Sequence, residues 1–95
     1  MMVVVTYDIS TKDAAGRSRL RRIAKLCSDY GVPVQKSVYE IETDAGRFAS
    51  FREMVENIIR KGDSVRYYLL GNHYQGRIVT AGTELIRWDR ENYIV

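Results

Sequence analysis

One cysteine (Cys27), one proline (Pro33) and one histidine (His73) in ninety-five residues close off several chemistries at once. A single thiol builds no disulfide framework and no cysteine-based zinc site, which fits a reducing compartment, so a cytoplasmic protein is expected. A single imidazole makes no histidine metal triad, and no histidine-paired serine or cysteine nucleophile can be assembled within one protomer. His73 follows Gly71-Asn72 in a loop and reads as structural. No run nears the ~18–20 apolar residues of a membrane span, and Met1-Met2-Val3 leads into a strand-like segment, not a signal peptide. The segment from Gly71 to Gly76 lacks the lysine and following helix of a phosphate loop. Repeats, linkers and low-complexity stretches are absent. Hydrophobic residues at 45% and charged ones at 28% describe a globular chain. A chain this short hides only ~60–65% of its unfolded surface, so one domain over residues 1–95 is expected, with homo-oligomerisation a natural way to hide more.

Net charge is small overall and concentrated locally. The net charge is +3, yet the segment from Lys12 to Lys25 carries six basic residues against Asp13 alone, and the rest of the chain is slightly acidic. Only four of the fifteen basic residues are lysines. The rest are arginines, whose planar forks match phosphate oxygens. A local arginine patch suggests a polyanion partner; a solvated helix face is the plain alternative.

The chain order follows from periodicity and punctuation. Met2 to Tyr7 is an apolar, β-branched run read as a buried strand ending at Asp8. A helix is expected from about Ala14 to Tyr30, stopped by Gly31 and Pro33. Leu20, Ile23, Ala24, Leu26, Cys27 and Tyr30 fill one arc of it, and Arg17, Arg21, Arg22 and Lys25 the opposite one. Arg19 falls inside the apolar arc, so it either snorkels out or is held there for a purpose. From Val32 to Glu42 the alternation slips, which means a bulge or two short strands joined around Lys36-Ser37. Asp44 caps a second expected helix, about Gly46 to Lys61, closed by Gly62. Ser64 to Leu70 is a further strand, with Val65, Tyr67 and Leu69 on one face.

The resulting β-α-β-β-α-β order is the split, ferredoxin-like pattern: an antiparallel four-stranded sheet with two helices on one face. That core takes residues 1 to about 75. Residues 76–95 contain three further β-prone pieces, Arg77 to Thr80, Leu85 to Trp88 and Tyr93 to Val95. They read as an edge strand and a tail that pairs with another chain.

Three sets of residues can carry chemistry. Asp8 closes an apolar strand at the sheet edge, where sites on such folds collect. One carboxylate alone does not hold Mg²⁺, but Mg²⁺ keeps waters and takes one or two carboxylates plus substrate phosphates. In a two-fold dimer, two copies of Asp8 would face each other across the axis. The alternative is an N-cap or a plain loop aspartate. Next, Arg17, Arg19, Arg21, Arg22 and Lys25 lie on the following helix, with Arg17 and Arg21 one turn apart and suited to successive phosphates. Finally, Tyr7, Tyr39, Tyr67 and Tyr68 could stack on bases, although strand aromatics more often pack sheets. Cys27 lies on the apolar arc and reads as a small buried hydrophobe.

Val5-Thr6-Tyr7-Asp8-Ile9, the arginine-rich helix ending in Tyr30-Gly31, the segment Val34-Gln35-Lys36-Ser37-Val38-Tyr39-Glu40 and the strand Ser64 to Gly71 together resemble the small CRISPR-associated protein two family, over roughly residues 2–71. The resemblance implies a ferredoxin-like homodimer that acquires new spacers with the CRISPR integrase. It also implies a metal-dependent endonuclease on RNA or DNA, with Mg²⁺ or Mn²⁺ at Asp8 as the catalytic position. Tyr7 matches the aromatic before that aspartate, and Arg17 and Arg19 match an Arg-x-Arg opening the helix. Tyr39 stands where the family usually has Phe. Pro33 stands where it commonly has Arg, so that phosphate contact is missing or supplied by Lys36. A non-catalytic homodimeric scaffold holding duplex DNA for the integrase is the competing function. An RNA-recognition or regulatory domain is disfavoured, because the required aromatic motif on central strands is absent.

Overall fold

A computed structural model describes residues 1–82. The elements are β1 (Met2–Asp8), α1 (Ala14–Tyr30), β2 (Val32–Gln35), β3 (Val38–Glu42), α2 (Ala45–Ile58) and β4 (Ser64–Gly71). The sheet order is β2-β3-β1-β4, with β1 antiparallel to both neighbours and β2 antiparallel to β3. Both helices pack on one face. Val3 and Val5 of β1 and Ile41 of β3 meet Ile23 and Cys27 of α1 and Phe51 and Val55 of α2 in one core. Phe51 is fully buried between the Tyr30 and Tyr67 rings, at centroid distances of 5.1 and 6.3 Å. This is the ferredoxin-like arrangement that the segment order predicts.

The alternation slip before Glu42 resolves as two strands joined at Lys36-Ser37, with Ser37 in the left-handed region at φ 63°. The β2–β3 register also shifts between Pro33 and Gln35. Pro33 is tolerated because β2 is an edge strand, whose outward side needs no N–H donor. Cys27 is fully buried, and burial pushes its thiol up to about 12, so it is an inert core residue.

Two expectations are corrected, the end of α2 and the strand at 77–80, and one is qualified in burial. α2 stops at Ile58, not near Lys61, and Gly62 does not close it. The Arg60 guanidinium turns back onto the carbonyls of Asn57, Ile58 and Ile59, and the Arg60 N–H donates to Asp63 instead of continuing the helix. Gly62, at φ 95°, serves the tight turn that follows. Leu69 does share the inner face with Val65 and Tyr67 by register, paired with Val3, yet it is 58% exposed, next to a register shift between Met2 and Val3. Residues 77–80 form no strand. Gln75–Arg77 is a 3₁₀ turn closed by the Arg77 N–H on the Tyr74 carbonyl, and Val79 is 90% exposed. The expected β pieces at 85–88 and 93–95 lie outside the described residues.

Gly16 fixes how α1 approaches the sheet. A Cβ there would run into the backbone carbonyl of Ser10, in the loop after β1. Alanine normally strengthens a helix interior by ~0.5–1 kcal/mol relative to glycine. Here overpacking against backbone costs ~1–3 kcal/mol, so Gly16→Ala is expected to lower Tm in a thermal melt, not raise it.

Candidate active site

Asp8 sits at the last position of β1, opposite Ser64 of β4, while the Tyr7 N–H before it donates to the Ser37 carbonyl at 3.1 Å. The β2–β3 turn therefore closes one side of the Asp8 end of the sheet and the start of β4 the other. The side chains around Asp8 are anchored. Tyr7 is half-buried and stacks on the buried Tyr39 at 6.1 Å between ring centroids, and Ile9 is in the core. Asp8 itself is exposed, and its carboxylate makes no hydrogen bond or ion pair among the described residues. The capping task that would explain an aspartate here belongs to another residue. Asp13 caps α1, its side chain accepting from the Gly16 N–H at 2.8 Å.

The tyrosines divide between packing and surface. Tyr39 is buried, and its hydroxyl accepts from Ser28 Oγ at 3.3 Å. Burial, and then the Tyr39 hydroxyl beside it, push the Tyr7 phenol far above its ordinary value. A phenol held protonated in this way is no general base. Tyr67 packs edge-on against Phe48, and burial pushes its hydroxyl up to about 12. Tyr68 alone of the four is on the outer face and exposed, with its hydroxyl accepting from Arg66.

The basic residues fall into separate environments. Arg17 is exposed on the first turn of α1, and its Nη1 reaches the Thr11 carbonyl at 3.5 Å, so its charge flanks the loop after Asp8. Lys36 is exposed in the β2–β3 turn. Arg21, Arg22 and Lys25 lie further along α1, where they line an open groove with Met54, Asn57 and Ile58 of α2. Lys25 is paired there with Asp29 at 2.7 Å.

Arg19 is held for a structural purpose. Its Nε and Nη2 donate to the two oxygens of Asp63 at 2.8 and 3.4 Å. Asp63, whose side chain is fully buried, also accepts the backbone N–H of Ser10 at 3.0 Å and of Arg60 at 2.9 Å. Burial pushes this carboxyl up, but Arg19 and the two backbone donors outweigh it and hold it below the ordinary aspartate value. Asp63 was not among the residues that the sequence brings forward. The signal for it was the misplaced Arg19, because an arginine on an apolar arc needs an acidic partner.

His73 follows the end of β4 that pairs with Met2, at the opposite end of the sheet from Asp8, about 20 Å away at strand rise. It contributes nothing to the Asp8 end. Among the described residues, no three His, Cys, Asp or Glu side chains gather into a metal cluster. Asp8 therefore belongs to no such cluster, and the other aspartate near it, Asp63, is committed to Arg19 and two backbone donors. That fits Mg²⁺ or Mn²⁺ only as a cation that keeps its waters and takes its further ligands from substrate phosphate or from Asp8 of a second copy. No helix among the described residues is long and apolar enough to cross a membrane.

The chain is 45% identical over 84 residues to a Rhodospirillum rubrum protein named CRISPR-associated endoribonuclease Cas2 3, covering 87% of this chain and 88% of that one. It is 39% identical over 85 residues to a Halalkalibacterium halodurans protein named CRISPR-associated endonuclease Cas2, covering 88% of each. The crystal structure of Streptococcus pyogenes Cas2 superposes with a TM-score of 0.74 at 49% identity, covering 86% of this chain and all of that one. The family model described as CRISPR associated protein Cas2 matches residues 1–78, which hold every element from β1 to β4, the exposed Asp8 and the arginines of α1, and the chain belongs to that family.

Proposed function

We propose that the protein is a CRISPR-associated endonuclease that hydrolyses phosphodiester bonds of RNA or duplex DNA with Mg²⁺ or Mn²⁺ at Asp8, and that it acts as a homodimer in spacer acquisition with the CRISPR integrase. The nuclease reading is supported by the names of its relatives, which are endoribonucleases and endonucleases. The observation that carries it is the free, exposed Asp8 carboxylate on an otherwise anchored strand end, with the capping role taken by Asp13. When bound, the cation would polarise the scissile phosphate and lower the pKa of a coordinated water. Asp8 would hold it, Arg17 would offset charge developing on the phosphate, and Tyr7, packed against Tyr39 on the core face of β1, would anchor the strand end that carries Asp8. The test is a cleavage assay on purified protein with single- and double-stranded RNA and DNA, with each metal and with chelator. Metal-dependent cutting is expected, and none under any condition would overturn the reading.

A second reading has its own observation. With no described metal cluster and no histidine near Asp8, the chemistry available to one chain is sparse. A non-catalytic scaffold that holds duplex DNA for the integrase needs only the basic surface. In either reading, binding is electrostatic and sequence-independent. Replacing Arg17 and Arg21 together is expected to reduce the slope of log affinity against log salt by ~2. An unchanged slope would make the ridge a solubility face.

The uncovered side of the sheet supports the dimer reading. Both helices pack on one face, so Val4, Thr6, Arg66 and Tyr68 of the opposite face have no layer over them from the described helices. A chain ending at Gly76 is expected to run as a monomer in sedimentation and to melt at lower temperature. A truncated chain that stays dimeric and equally stable would remove residues 77–95 from the interface.

A further inference from the structure

Resting on the reading of Asp8 as the catalytic carboxylate, we propose that Asp63 is a positioning residue for Asp8, and that Arg19 serves the site through Asp63, not by gripping phosphate. Asp63 reaches the Asp8 end by two routes. Its Oδ1 takes the N–H of Ser10, two residues beyond Asp8, at 3.0 Å. Its own neighbour Ser64 is the residue directly opposite Asp8 in the β1–β4 ladder.

The clamp is rigid because every element it joins is fixed elsewhere. Arg19 is carried by α1, whose N-terminus lies so close to Ser10 that only glycine fits at position 16. Arg60 supplies a backbone N–H to the same carboxylate from the end of α2. Ile9, between Asp8 and Ser10, is buried in the core. The loop after β1 is thus pinned at Ile9 by packing and at Ser10 by a charged acceptor, which fixes the backbone that carries Asp8 out of the sheet end. Hydrogen bonds that fix a metal ligand from behind commonly change metal affinity or activity by ~10–100-fold when removed. Arg19 has two of its donors committed to a fully buried partner, unlike Arg17, whose exposed side chain contacts only a loop carbonyl.

Asp63→Asn and Arg19→Gln, each in the full chain, test this. Amide hydrogen exchange at Ser10 is expected to quicken at least ~10-fold in Asp63→Asn, with Val5 in the middle of β1 unchanged. Cleavage is expected to fall ~10–100-fold in each variant, with half-activation at higher Mn²⁺, and the double variant is expected to be no worse than either single one. The salt slope of nucleic-acid binding should stay that of wild type in Arg19→Gln, whereas a phosphate-gripping arginine would lower it by ~1. Arg19→Lys, which keeps the charge without the fork, guards against a folding failure and is expected to shift exchange and cleavage the same way. Unchanged Ser10 exchange, additive losses in the double variant, or a reduced salt slope would overturn the proposal. The two readings fail differently. A wild type inactive on every substrate overturns the nuclease reading, while full activity in Asp63→Asn beside a dead Asp8→Asn overturns the positioning alone.

Discussion

Replacing Asp8 by Asn is expected to cut Mg²⁺- or Mn²⁺-dependent cleavage by more than ~100-fold and to leave duplex binding equal or tighter. The size follows from the ligand count. Among the described residues Asp8 belongs to no cluster of metal-ligating side chains, so in this reading amidation removes the charged ligand, and losses of ~10–100-fold already accompany changes one step further from a metal. Binding survives because Asp8 makes no described contact that holds the fold, and because a negative charge facing phosphate has gone. Dimerisation and Tm are expected to match wild type. A fall in stability would mean that Asp8 has a structural task beyond the described residues.

The largest effect on stability is expected at Asp63. Asp63→Ala leaves the N–H groups of Ser10 and Arg60 without their acceptor and strands the Arg19 fork against a buried space. Each orphaned backbone donor is costly, and in a domain of this size the loss should exceed ~10 °C in Tm. Its pH dependence has a definite sign. Because the folded carboxyl titrates below the ordinary aspartate value of 3.8, its contribution is fully present above that pH and is lost as pH falls through the lower folded value. The Tm gap between wild type and Asp63→Ala should therefore be constant at neutral pH and close only in strong acid. A gap that closed between pH 5 and 7 would mean another group is responsible.

How much of this was legible in sequence depended on distance along the chain. β1, α1 and β4 were read at close to their observed limits, because apolar periodicity and the Gly31 and Gly71 punctuation are local signals. The end of α2 was not, since what stops it is the capture of Arg60 by Asp63 and by its own helix carbonyls. The same blindness affected the site. Arg19 was marked as misplaced, but its partner lies forty-four positions away and only the fold brings them together. The place of Asp8 at the end of β1 was legible from the apolar run before it. Its freedom from capping was not, since it rests on Asp13 accepting the Gly16 N–H and taking the α1 cap itself. The arginine ridge read as one surface on a helical wheel, yet tertiary packing divides it into Arg17 by the Asp8 loop, Arg19 in the clamp, and Arg21, Arg22 and Lys25 along the α1–α2 groove. The β-prone run at 77–80 shows propensity overruled by a local turn, closed on the Tyr74 carbonyl.

The most direct measurement is a side-by-side titration of Mn²⁺ into purified wild type and Asp8→Asn, with RNA and duplex DNA cleavage as the readout. Cutting that rises with metal in wild type, vanishes with chelator and is absent in Asp8→Asn at equal nucleic-acid binding is the predicted result. Equal cleavage by the two proteins would contradict it, placing the activity at another site. Absence of cleavage from wild type with every metal and substrate, while spacer integration still required the protein, would give the function to the scaffold.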